Sequence, residues 1–100
     1  MTDQPEFSYQ ADMGFTHHEL LKGLPSAVEP YEVSRVSDLI YEITHGGRLV
    51  RFDMQPEKIR KIASIRLPIT SIRLDFFGFD QSLYNAFMDR FKRYLHRGGG

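Results

Sequence analysis

The chain has 100 residues, of which 41% are hydrophobic and 13% aromatic, enough for one domain with an ordinary core. Cysteine is absent, which excludes disulfides, thiolate catalysis and cysteine-based metal sites. The formal charge is zero, yet residues 1–46 carry eight acids against Lys22 and Arg35, a balance of −6, while residues 47–100 carry eleven bases against five acids, a balance of +6. Such a split serves either a basic surface that meets a polyanion or attraction between two halves of one fold, and the second is the simpler expectation. The opening MTDQPEFSYQ has neither the basic start nor the apolar run of a signal peptide, and no stretch of 18 apolar residues occurs. A soluble, cytoplasmic protein is therefore expected, with residues 1–5 and 98–100 loose.

In chain order, Phe7, Tyr9, Ala11 and Met13 alternate with Ser8, Gln10 and Asp12, the period of a half-buried strand that ends at Gly14. Thr16 with Glu19 three residues later forms a capping box, and Phe15 with Leu20 a hydrophobic staple. These predict a short helix from His17 to Gly23, stopped by Gly23 and Pro25. Tyr31, Val33 and Arg35 start a further alternating segment, broken near Ser37 and Asp38.

Two alternating runs then meet at Gly46-Gly47. A primed two-residue turn requires positive φ, which glycine adopts without a Cβ clash. Counting outward, His45 faces Arg48, Ile43 faces Val50, Tyr41 faces Phe52 and Leu39 faces Met54, all apolar beyond the first pair. The other face pairs Thr44 with Leu49, Glu42 with Arg51 and Ile40 with Asp53. A slip of one residue would mix charges into the apolar side, so turn chemistry and burial select the same register.

Pro56 followed by EKIRKI, acid early and bases late, reads as one or two helical turns, the alternative being an irregular strand. Pro68 ends that segment. Ile69 to Phe77 is a strand with Thr70, Ile72, Leu74 and Phe76 on one side and Ser71, Arg73, Asp75 and Phe77 on the other. Gly78 breaks it, Asp80 caps, and Ser82 to His96 forms the longest helix, with an apolar stripe of Leu83, Tyr84, Phe87, Met88, Phe91, Tyr94 and Leu95.

This order gives an α+β class: a single domain over residues 1–100 with an antiparallel sheet of four to five strands, covered on one face by a long C-terminal helix and a short N-terminal one. The element order resembles a half-repeat of the TATA-binding-protein fold, or a reduced helix-grip domain in which a long helix lies across a curved sheet. The resemblance is one of order alone, without a shared motif, and implies no site residue.

For chemistry, His17, His18 and Glu19 are the densest group of potential ligands, but adjacent helical residues point about 100° apart and no His-x-x-x-His spacing exists. They read as exposed first-turn residues. His45 beside Gly46-Gly47 reads as a wet hairpin tip. Nothing resembles Gly-x-Ser-x-Gly, and Asp53 with Asp75 reads as part of a salt-bridged lattice with Arg51 and Arg73 rather than a carboxylate pair. No catalytic residue, metal or cofactor is expected.

Two surfaces remain. The open sheet face offers Glu42, Arg51, Arg73, Asp75 and Phe77. A basic set comprises Lys58, Arg60, Lys61, Arg66, Arg90, Lys92, Arg93 and Arg97, with Phe77 or Phe79 able to stack on a base. By elimination the leading expectation is a non-enzymatic binding module for a protein partner or a second copy, not a membrane. The alternative is binding of nucleic acid or a phosphate ligand through the basic half; a further one is a small-ligand pocket or an enzyme site between helix and sheet.

Overall fold

A computed structural model describes residues 4–96. The expected loose ends 1–3 and 98–100, and Arg97 of the basic set, lie outside the described residues. The strands are β1 (Phe7–Met13), β2 (Glu32–Arg35), β3 (Ile40–His45), β4 (Arg48–Met54), β5 (Lys58–Ile62) and β6 (Ile65–Phe77), with helices α1 (His17–Ala27) and α2 (Gln81–Tyr94). All pairings are antiparallel, in the order β1-β6-β4-β3-β2, and β5 pairs with the first part of β6. The expected α+β architecture is present, with six strands instead of four or five.

The Gly46-Gly47 hairpin has the predicted register from Ile40–Asp53 to His45–Arg48, and the two glycines take φ of 55° and 80°. Its apolar side joins the side of β6 carrying Thr70, Ile72, Leu74 and Phe76, so Val50 meets Phe76 and Phe52 meets Leu74. These residues are buried together with Ile43 and Met54. The helices cover this face. α2 sets Tyr84 against Phe7 and Phe76, with ring centroids at 4.5 and 4.9 Å, and Phe87 against Phe76 at 5.2 Å. Its ring contacts with strands fall on β1 and β6, and Phe87 also packs against Tyr31 and Phe79. Tyr94, placed in the apolar stripe by spacing, is exposed with the Arg90 guanidinium over its ring at 4.3 Å.

The capping box of α1 forms as read: the Glu19 amide donates to Thr16 Oγ1 at 3.1 Å and the Thr16 amide to Glu19 Oε1 at 2.9 Å. The helix does not stop at Gly23, and it carries Pro25 inside. A proline there removes the bond to the Leu21 carbonyl and costs about 3 kcal/mol. Continuing the helix buries Leu24, Ala27 and Val28 completely or nearly so, and Leu24 and Val28 each contribute roughly 1.5–3 kcal/mol. Burial outweighs the breaker. At Gly23 α1 packs closely on the end of α2, since a Cβ there would lie 2.9 Å from Leu95 Cδ2.

The segment after Pro56 corrects the helical expectation. Met54 pairs with Ile72, and Lys58 pairs with Ile69, so β4 and β5 form one interrupted strand with one extra residue on their side of β6. That is the count of a bulge, located at Gln55–Glu57. Pro68 does not end a segment either; it lies inside β6. Backbone groups of β6 alternate between its edges: the Phe76 carbonyl accepts from Glu6 N on the β1 side, and the Ser71 carbonyl from Gln55 N on the β4 side. Stepping by two from Phe76 aims the Pro68 nitrogen at the β1 edge, beyond the last β1 pair at Met13–Thr70. No ladder donor is needed there, which is where a strand accommodates proline.

Candidate nucleic-acid interface

The part of β6 below Thr70, with β5, is a two-stranded ribbon outside the main sheet. Its facing pairs are Lys58–Ile69, Ile59–Pro68, Arg60–Leu67, Lys61–Arg66 and Ile62–Ile65. Five pairs at about 3.4 Å carry it roughly 17 Å, in a molecule measuring 49 × 25 × 20 Å. Residues 58–67 are all exposed. No helix covers the ribbon, so neither side buries its apolar residues: Ile59, Ile62, Ile65 and Leu67 are 59, 52, 56 and 44% accessible.

A free two-stranded ribbon is marginal in water. This one persists because β6 is also an interior strand of the sheet, held between β1 and β4, and because α1 holds its root. His17 Nε2–H donates to the Gln55 carbonyl at 2.7 Å, the His17 amide donates to Glu57 Oε1 at 2.6 Å, and the Gln55 amide donates to the Ser71 carbonyl at 2.9 Å. His17, expected as an exposed first-turn residue, is thus a half-buried clamp on the bulge, while His18 is exposed.

The ribbon gathers four residues of the basic set. Facing residues share a side, so Lys58 and Arg60 stand on one side, continuous by alternation with Ser71 and Arg73 of the open face, and Lys61 and Arg66 stand on the other. Residues 58–69 contain no acid. None of the four cations has an ion-pair partner among the described residues. The basic residues of α2 divide. Arg90 is engaged by Glu29 Oε1 at 3.1 Å and the Ser26 carbonyl at 2.9 Å. It is also the one described base of the second half in an ion pair with an acid of the first. Lys92 lies over the Tyr9 ring at 5.3 Å and lines a groove with Asp12, Met13, Phe15 and His96. Since Met13 pairs with Thr70, this groove adjoins the ribbon's root. Arg93 is exposed on the same last turns of α2.

The open face carries an alternating lattice. Arg51 faces Asp75 and Asp53 faces Arg73 across β4 and β6, and Glu42 faces Arg51 across β3 and β4. Asp75 Oδ1 accepts from Ser8 Oγ at 2.6 Å and Arg73 Nε at 3.0 Å; Arg51 Nε stands 3.6 Å from Asp53 Oδ1. Opposite charges sit side by side, and no field of one sign results. Phe77 is half-buried opposite Leu49. Phe79 is buried among Phe76, Phe87 and Tyr31, so it offers no stacking face.

Between α2, the end of α1 and the Gly46-Gly47 hairpin lies a cleft of about 220 Å³ lined by Val28, Tyr31, His45, Arg48, Leu83 and Phe87. Arg48 Nε donates to Tyr31 Oη at 3.1 Å across it. Among the described residues no group of three or more His, Asp or Glu side chains is placed to hold a metal ion, and no helix is long and apolar enough to cross a membrane.

No protein-family model, curated protein or solved structure matches this chain. The sequence offers a strand here only as the alternative to a helix and does not foresee its pairing into a ribbon; the available signal is the alternation of Lys58, Arg60 and Ile62 with Ile59 and Lys61, which competes with the helical pattern of charges.

Proposed function

We propose that this chain is a non-enzymatic, cytoplasmic binding module that engages a nucleic-acid duplex with the β5–β6 ribbon. The observation that supports it is the set of four cations without an ion-pair partner among the described residues, two on each side of a projecting, acid-free element. A groove in a duplex has two phosphate walls, and a ribbon with cations on both sides presents charge to each. The open sheet face supports the reading less, because its charges neutralise one another. Likeness in element order to a TATA-binding-protein half-repeat or a reduced helix-grip domain remains an architectural proposal that carries no function.

The test is fluorescence anisotropy of labelled DNA and RNA duplexes with the full chain at 50 and 200 mM salt. Four phosphate contacts give a slope of log affinity against log salt of about −3.6, which weakens binding about 10²-fold over that range. Lys61→Glu with Arg66→Glu should abolish it. No binding, or binding insensitive to salt, overturns the proposal.

A second reading is supported by the four exposed aliphatic residues of the ribbon, a composition that also suits an acidic protein groove or a second copy. Light scattering with chromatography, and pull-down from the native host, separate it: association that is lost in Ile59→Ser with Leu67→Ser, in a chain that leaves DNA and RNA unbound, favours the protein partner.

A further inference from the structure

The ribbon ends on a feature that phosphate binding does not require. Its last pair is Ile62–Ile65, joined through Ala63 and Ser64, with Ala63 at φ 56°. Two β-branched side chains, each more than half exposed, stand together at the end of the ribbon, where they stabilise no core. The neighbouring pair, Lys61–Arg66, is cationic, and Arg60 lies two residues back along β5. An apolar point flanked by charge fits a ligand with phosphate walls and a stacked apolar interior.

Resting on the duplex-binding reading above, we infer that the Ile62–Ile65 tip is a wedge that enters the minor groove of double-stranded DNA, partly unstacks one base step and kinks the duplex. Apolar side chains inserted between base steps bend DNA by roughly 20–90° toward the major groove, and this opens the minor groove around the inserted element. The groove's widening accommodates a ribbon that an undistorted minor groove about 6 Å wide would not admit. Unstacking costs a few kcal/mol. The four cations offset that cost, because a kinked duplex brings both phosphate walls onto the two sides of the ribbon. Pyrimidine–purine steps, the easiest to unstack, are the preferred sites.

The experiment uses the full chain and a 25-base-pair DNA carrying a fluorescence-transfer pair at its ends and 2-aminopurine at a central TA step, with anisotropy recorded on the same samples. The wild type should shorten the end-to-end distance by an amount corresponding to a kink of at least roughly 20° and raise 2-aminopurine emission. Ile62→Ser with Ile65→Ser, two exposed positions outside the core, should bind with the same salt slope yet leave the DNA straight and its emission unchanged. Salt-dependent binding by the wild type without bending overturns the wedge and leaves duplex binding standing. Bending by the serine variant equal to wild type also overturns the wedge. Absence of salt-dependent binding overturns both.

Discussion

At Gly47 the backbone has φ of 80° with open space around the position of an added Cβ. The penalty of a side chain there is therefore conformational and not steric. Gly47→Ala should cost about 1–2 kcal/mol, and Gly47→Asn less, since Asn visits the left-handed region more readily; urea unfolding midpoints of the three proteins check this. Thr70 is the opposite case, a buried hydroxyl whose Oγ1 donates to the Phe15 carbonyl at 2.8 Å. Thr70→Val keeps the volume and removes that bond, and should lower stability by about 1–2 kcal/mol in the same assay. Turn glycines and the Thr16–Glu19 cap are legible in sequence because their causes lie within four residues. Whether Phe77 or Phe79 is exposed is not: Phe79 lies beyond the strand, where alternation no longer assigns a side, and its burial depends on Tyr31 and Phe87.

Among the elements, α1 and β5 differ most from their local signals, for one reason. Local preference is worth a few tenths to about 3 kcal/mol, and tertiary contacts exceed it. Pro25 is retained inside a helix because Leu24 and Val28 need burial, and EKIRKI is extended because β6 supplies a partner along its length. The clamp at the ribbon's root gives a test at this scale. His17→Ala removes the ring's bond to the Gln55 carbonyl, and amides of residues 58–69 should exchange faster with solvent, while those of Leu74 and Phe76 in the core keep their protection. Equal acceleration in both regions would mean that His17 supports the whole fold rather than the ribbon. The same variant should also bind duplex DNA more weakly, because a looser ribbon loses more freedom on binding.

For the molecule as a whole, the charge split visible in the sequence becomes a spatial one. Lys58, Arg60, Lys61 and Arg66 project on the ribbon, and the root beside it carries Lys92 and His96. The Cα radius of gyration is 14.0 Å, against about 13 Å for a typical compact domain of this length. Small-angle scattering of the free chain should show an asymmetric distance distribution with a tail extending to about 50 Å, as the 49 Å axis requires; a symmetric distribution would mean that the ribbon folds back. By itself the sequence determined the α+β class, the Gly46-Gly47 register, the two caps and the long helix, because each is set by periodicity or by contacts between near neighbours. Tertiary structure alone decided that Lys58–Ile62 is a strand, that Pro25 and Pro68 lie inside regular elements, and that four cations share one uncovered ribbon. Those outcomes depend on the bulge at Gln55–Glu57 and on where β1 stops along β6, relations between segments that no local pattern encodes.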